Sequence, residues 1–323
     1  MNFNALDNKG SVEGFCLIKS IEVRTSSKGD NYLNMTLSDA TGEINAKLWG
    51  YTPEVHGEYD ANSLIKVRGV ISVYAGADQL RIDRIRPVIE SDGVKLEDFV
   101  KTAEYDSTQM YEELIKCAEA FQDQDLSRLV TYVLSQNREP LLYWPAAFKL
   151  HHAFRGGLLL HTLSIVRLAE KVCEIYPFVD KDLLLAGAIL HDISKLTEYD
   201  VAETGTASGY SVRGNLLGHL AEGAMLIRKA AEELGIPSEK SMLLEHMVLS
   251  HHGNPEFGAA VRPMFIEAEL LSHLDLIDAQ LFEMREAYEN VDKDGFTGKL
   301  WMMDNRKLYN HKRKDMNNGP KLF

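Results

Sequence analysis

Ala188-Ile189-Leu190-His191-Asp192-Ile193-Ser194-Lys195 decides the fold and chemistry of this chain: an apolar run ends in an imidazole beside a carboxylate, with an ammonium three residues on. Imidazole nitrogen and carboxylate oxygen are both good ligands for borderline divalent metals, and one carboxylate can bridge two ions. A single His-Asp dipeptide is weak evidence of such chemistry. Its company is stronger, because His161 lies upstream and His219, His246, His251, His252 and Asp275 follow. These residues fall at the ends of segments with helical periodicity or, for Asp275, inside one. Ligands so placed can converge in the middle of a helical bundle. Buried imidazoles and carboxylates without partners are costly, so a cluster of them calls for a shared cation. For any one of these histidines, a hydrogen-bonded core or surface role is the commoner alternative.

Around that stretch, apolar spacings of three and four predict helices over 110–121, 126–135, 161–175, 181–191, 218–234, 241–251 and 267–289. In the last of these, Leu270, Leu271, Leu274, Ile277 and Leu281 form the expected buried stripe. Residues 199–215 are irregular, with Gly205, Gly209 and Gly214. They read as a hairpin or flap between two ligand candidates, or equally as an ordinary surface loop. Upstream the period changes. Runs at 14–24, 32–39, 43–49, 63–74 and 79–87 read as strands, with turn signals around Ala40 and Ala75 and a longer connection between the third and fourth. Five strands with that connection predict an OB-fold barrel. The expected organisation is residues 1–90 as the barrel, 91–106 as a linker, 107–304 as a helical domain and 305–323 as a basic tail. The tail suits RNA contact or a solvated terminus. The fold class is thus multidomain α+β, a small N-terminal OB-fold β-barrel followed by an all-α domain.

Composition bounds the function. Apolar residues make up 45% and charged residues 26%, which is ordinary for a globular protein. No apolar run approaches the roughly 20 residues that span a bilayer, and residues 1–10 carry no secretory pattern. Cys16, Cys117 and Cys173 are scattered and form no CxxC pair, which suits a reducing cytoplasm with no membrane partner. The net charge of −13 argues against coating nucleic acid through bulk positive charge. The acidity is uneven, however. Residues 1–90 hold ten Lys/Arg and twelve Asp/Glu, which leaves 25 and 36 for the remainder. The barrel is therefore the better nucleic-acid grip, with Tyr32, Trp49, Tyr51 and Tyr74 beside Lys28, Lys47, Arg68, Arg81 and Arg84. About half of those aromatics are expected in the barrel core. No nucleophile elbow, phosphate-binding Gly-Lys loop or dinucleotide fingerprint competes with the histidine set.

The order His161, His191-Asp192, Asp275 resembles the HD-domain phosphohydrolase superfamily, an all-α fold. With His219 and His251-His252 inserted, it resembles the two-metal subset. The stretch His151-His152-Ala153-Phe154-Arg155-Gly156-Gly157, the barrel in front, and Leu217-Gly218-His219 are similar to the YhaM-type 3′-to-5′ exoribonucleases. That resemblance implies that His161, His191, Asp192 and Asp275 hold one ion. On the same resemblance Asp192 would bridge to a second ion held by His219, His251 and His252. Lys195 contacts the bridging water or a substrate phosphate, so Asp192 and Lys195 carry catalysis. Two ions, with manganese first and cobalt, iron or zinc as alternatives, would activate water for phosphodiester hydrolysis. Arg155 and His152 are candidate substrate contacts, with Tyr32, Trp49 and Arg68 on the barrel. Asp278 and His246 are candidates to support the ligands, and His151 is equally suited to a structural role. The implied function is a metal-dependent exoribonuclease releasing nucleoside 5′-monophosphates from single-stranded RNA, with single-stranded DNA as a further substrate. The alternatives are a phosphohydrolase of nucleotides or cyclic dinucleotides, and a non-catalytic nucleic-acid-binding regulatory module. Whether the chain forms a homo-oligomer is left open by its composition.

Overall fold

A computed structural model describes residues 1, 3, 10–39, 41–74, 76–148, 152–289, 291, 294–300, 303–314 and 319–323. His151, the turn residues Ala40 and Ala75, and residues 315–318 of the basic tail lie outside the described residues. The chain forms two compact units, Met1–Thr102 and Ala103–Phe323.

In the first unit, β1 (Gly10–Thr25), β2 (Asn31–Ser38), β3 (Glu43–Trp49), β4 (Leu64–Tyr74) and β5 (Ala77–Pro87) close into a barrel in the order β1-β2-β3-β5-β4. All neighbours are antiparallel except β3 and β5. The short helix α1 (Pro53–His56) fills the long connection. Inward alternation builds the core from Leu33, Met35 and Leu37 on β2, Ile44, Ala46 and Leu48 on β3, and Leu80 and Ile82 on β5. Strand β1 begins four residues earlier than its apolar run, because Gly10 to Leu17 pair along β4. One irregularity interrupts β4 and β5: Arg68 faces Arg84, but Gly69 faces Ile82. A Cβ on Gly69 would lie 2.1 Å from the Arg81 carbonyl oxygen, so only glycine fits that bulge. Of the four aromatics, Tyr51 joins the core and donates its hydroxyl to Gly57 O at 3.0 Å. Trp49 and Tyr74 stay outside.

The second unit contains α2 (Ser107–Glu119), α3 (Gln124–Gln136), α4 (Arg138–Leu141), α5 (Gly157–Ile175), α6 (Lys181–Leu190), α7 (Lys195–Glu198), α8 (Val212–Leu216), α9 (Gly218–Leu234), α10 (Ser238–Ser250) and α11 (Ile266–Glu289). Helix α6 is the centre of the unit. Asp180 caps its N-terminus by accepting from Leu183 N–H at 3.0 Å. From Leu183 to Leu190 every residue is buried, so the helix has no solvent face. Helix α5 starts at Gly157 rather than at His161, placing His161 in its second turn. A Cβ on Gly157 would meet the His152 carbonyl oxygen at 2.0 Å.

Helix α11 departs from the expected stripe. Its buried apolar positions are Ala268, Leu271, Leu274, Ala279 and Phe282, while Ile277 and Leu281 are 42% and 60% exposed. One residue is about 100° of helix turn. Turning Asp275 and Asp278 inward therefore rotates Ile277 and Leu281 out. Residues 199–210 form a hairpin of β6 (Tyr199–Val201) and β7 (Ala207–Tyr210). Its tip is pinned, since Arg155 donates to Glu203 O and Gly205 packs against the Arg155 and Tyr143 backbone. Among the described residues no helix is long and apolar enough to cross a membrane.

The C-terminal segment also differs from a solvated tail. Leu322 is 4% exposed within the helical core. Tyr105 donates its hydroxyl to Pro320 O at 2.6 Å, and Arg167 donates to Leu322 O at 3.0 Å. Leu322→Ala is expected to destabilise this unit by about 2 kcal/mol, the low end for a buried leucine. A urea unfolding midpoint equal to that of the unsubstituted protein would show that this segment contributes nothing.

Candidate metal centre and nucleic-acid surface

The buried run of α6 carries His191 and Asp192 into the middle of the bundle, where both are at most 2% exposed. Around them stand His161 from α5, His219 from the first turn of α9, His251 and His252 after α10, and Asp275 and Asp278 from α11. Gly218 takes φ 70° immediately before His219 and leads the chain into α9.

Asp192 faces two sets of histidines with its two oxygens. Oδ2 lies 3.5 Å from His161 Nε2 and 3.4 Å from His191 Nε2. Oδ1 lies 3.6 Å from His219 Nε2 and 3.6 Å from His251 Nε2. Asp275 Oδ1 is 3.2 Å from His161 Nε2. Two ligand atoms about 2.1 Å from one ion, at tetrahedral or octahedral angles, lie about 3.0–3.4 Å apart. The four Asp192 spacings are close to that range and long for hydrogen bonds, and the Asp275 spacing lies within it. His219, His251 and His252 form a further group whose ligand atoms lie within 4.8 Å of one another, as do His191, His251 and Asp275.

The opposite ring nitrogen of each of four histidines is already occupied. His191 Nδ1–H donates to Ala188 O at 2.9 Å and His251 Nδ1–H to Val248 O at 2.8 Å. His161 Nδ1 pairs with Asp278 at 2.8 Å, and His219 Nδ1 with Glu198 at 2.9 Å. A carbonyl or carboxylate on Nδ1 fixes the tautomer and leaves the Nε2 lone pair for a metal. His191 Nε2, His219 Nε2 and Asp192 Oδ1 are buried with no hydrogen-bond partner. Such orphans cost about 1–3 kcal/mol each. A divalent ion satisfies them together, so the residues present fit one.

The electrostatics agree. Burial alone would raise the Asp192 pKa, but Lys195 and the neighbouring histidines hold it well below the carboxylate range. Burial opposes a charge on His161, yet Asp192, Asp275 and Asp278 hold its pKa well above the ordinary value. Those carboxylates demand positive charge at this point, whether a proton or a metal ion. His252 is pushed down to about 3 by burial and then by His251 and His219, which keeps its ring neutral. Lys195 Nζ bonds Asp192 Oδ2 at 2.5 Å, and the attraction outweighs burial to raise its pKa.

The remaining site residues are distributed as follows. Asp278 supports His161 and also bonds His152 Nε2 at 2.9 Å. His152 is 1% exposed behind that pair, so burial removes it from the substrate contacts. Arg155 is engaged with Glu203 O and the Tyr143 ring. His246 is outside the cluster: its Nε2 accepts from Met264 N–H at 3.0 Å and its ring meets Phe265. Glu198 was missed by sequence reasoning. It is 6% exposed and accepts from both the backbone N–H (3.1 Å) and Nδ1 of His219. Its signal was the Lys195–Glu198 spacing of three on one short helix. On the barrel, Tyr32 and Trp49 stack at 4.4 Å between ring centroids. Lys47 lies 5.5, 5.4 and 5.5 Å from the rings of Tyr32, Trp49 and Tyr74. Arg68 sits apart from them on β4.

The HD domain family matches residues 158–280, and a family of OB-fold nucleic acid binding domains matches residues 17–88. The chain is 38% identical over 298 residues to the 3′-5′ exoribonuclease YhaM of Bacillus licheniformis, covering 92% of this chain and 94% of that protein. It is 39% identical to the namesake of a Geobacillus species, covering 92% and 91%. Identity with the protein of that name from Bacillus subtilis is 36%, covering 92% and 94%.

Loss of the carboxylate that orients His219 is expected to weaken metal binding about 10- to 100-fold in Glu198→Gln. Isothermal titration with Mn²⁺ measures this directly. Unchanged affinity would mean that His219 is oriented without Glu198.

Proposed function

The chain belongs to the YhaM family of 3′-5′ exoribonucleases, and we propose that it hydrolyses single-stranded RNA from the 3′ end to nucleoside 5′-monophosphates at a dinuclear centre. The observation that carries the two-ion reading is Asp192. Its Oδ2 faces His161 and His191, and its Oδ1 faces His219 and His251. One ligand set is His161, His191, Asp192 and Asp275; the other is Asp192, His219, His251 and His252. The donor set suits Mn²⁺, with Co²⁺, Fe²⁺ and Zn²⁺ as alternatives, better than Mg²⁺. Ions held there would lower the pKa of a water toward neutrality and offset charge on the attacking and leaving oxygens.

The protein's own groups have distinct roles. Asp192 stays ionised beside Lys195, so it holds charge on both sides of the centre without taking a proton. Lys195 holds an ammonium against that carboxylate, where it can balance the charge of a phosphate oxygen. Asp278 and Glu198 keep Nδ1 of His161 and His219 occupied, so neither ring can turn its other nitrogen away. On the barrel, Tyr32 and Trp49 offer stacked faces to bases and Lys47 offers charge to the backbone. That combination is sequence-tolerant and extends to single-stranded DNA. Cys16 and Cys117 are pushed up to about 12 and about 11, first by burial, so they remain thiols, in keeping with a cytoplasmic enzyme.

With Mn²⁺ added, RNA labelled at its 3′ end is expected to release labelled mononucleotide from the first time point. The same RNA labelled at its 5′ end should shorten progressively. Asp192→Ala is expected to bring both signals to background while retaining RNA affinity. Trp49→Ala should weaken RNA binding by about 1–3 kcal/mol. Immediate release of a 5′-labelled mononucleotide would overturn the direction, and an active Asp192→Ala variant would overturn the site.

A further inference from the structure

The barrel carries a second concentration of positive charge, separate from the stacked aromatics. A cleft of about 510 Å³ opens on the outer face of β4 and β5 beside α1. Lys66, Arg68, Arg84 and Arg86 line it, with the carboxylates Glu13 and Asp83. Two of these cations have carboxylate partners. Lys66 pairs with Glu13 at 2.9 Å, and Arg86 donates two N–H bonds to Asp92, both at 2.7 Å. Arg68 and Arg84 form no ion pair among the described residues, and they stand directly opposite each other across the ladder.

Opposed like charges destabilise a strand pair, and here a specific device creates the opposition. Leu80 and Ile82 point into the barrel, so strict alternation would send residue 84 inward as well. The bulge at Gly69 makes Asp83 an extra residue and turns Arg84 out beside Arg68. Glu13, opposite Arg68 on β1, offsets part of this charge but is itself paired with Lys66. Two arginines held out side by side by a bulge that only glycine permits leave guanidinium groups available to an anion. Guanidinium forks match phosphate oxygens.

The strand order suggests which anion. Lys47, at the stacked rings on β3, is the direct partner of Arg81 on the adjacent β5. Three residues along β5 lies Arg84, and across the ladder lies Arg68. Outward-facing cations therefore run from the aromatic platform across three strands to the cleft, interrupted on β5 by Asp83, which pairs with Arg81 at 3.6 Å. We infer that the cleft is a second contact for the same RNA strand, gripping the phosphodiester backbone of nucleotides beyond those stacked on Tyr32 and Trp49. This rests on the barrel being the RNA grip.

The test uses the full chain carrying Asp192→Ala to prevent hydrolysis, with fluorescent single-stranded RNA of about four and about sixteen nucleotides, bracketing the site sizes of single OB folds. Adding Arg68→Gln and Arg84→Gln together is expected to leave the short RNA's affinity unchanged and weaken the long RNA about tenfold. The slope of log affinity against log salt should fall by about 1.4 for the long RNA, two phosphates at about 0.7 each. The melting temperature should hold or rise, because a like-charge contact is removed. Arg68→Lys with Arg84→Lys should restore most of the slope. Wild-type affinity and slope on the long RNA would overturn the inference. So would equal losses on both lengths, which would place the arginines in the primary site. Trp49→Ala separates the two readings: if it changes neither length while the arginine pair weakens the long RNA, the aromatic platform fails and the cleft stands.

Discussion

A carboxylate buried in the middle of a helical bundle sets the terms for the rest of this molecule. Removing one charge from water costs several kcal/mol even after relaxation, and Asp192 is only 2% exposed. Lys195 offsets part of that cost through a 2.5 Å contact. The remainder requires cations on both sides of the carboxylate, which is where the imidazoles stand. Ligand placement follows from this. Helices α5, α9 and α10 bring imidazoles to one carboxylate, which α6 presents, and α11 brings two carboxylates to His161. The hydrophobic core has the converse task of fixing those helices, which it does through Leu159, Leu163, Leu184, Met247 and Leu271.

The second layer decides what the first can do. An imidazole ligates through one nitrogen only if the other is committed, and here the commitment comes in two forms. His191 and His251 use carbonyls three residues back in their own helices. His161 and His219 use carboxylates distant in sequence, Asp278 and Glu198. The first pair is oriented locally, whereas the second depends on α7 and α11 docking correctly.

Local chemistry was legible in the sequence and tertiary rotation was not. The barrel followed from period-two alternation and turn residues; residue type at helix ends, and inside one for Asp275, marked the histidines and aspartates as candidates, and their roles came from the family resemblance. Ile277 and Leu281 were misassigned because apolar spacing gives a stripe without saying which stripe faces in. The demand of Asp275 and Asp278 for the interior decided that. Arg84 was read as an outward cation, but not for the reason that holds it there. Its outward position depends on one bulge, visible only as an isolated glycine in β4. The hairpin at 199–210 was legible as a possibility, but its pinning by Arg155 was not. Leu322 escaped notice because a short apolar segment beyond a basic run carries no periodicity. Glu198 is an ordinary helix residue until His219 is brought against it.

Helix α6 has no solvent face, and this bears on how the centre comes apart. A helix with one exposed side can fray or detach while the rest of the domain stays folded. Helix α6 touches α2, α3, α5, α10 and α11, so releasing His191 and Asp192 means opening most of the bundle. Amide protons from Leu184 to Leu190 should then exchange with solvent only through global opening. Occupancy of the centre and cooperativity of the helical unit are in this sense one equilibrium: whatever binds between these histidines stabilises every helix packed on α6.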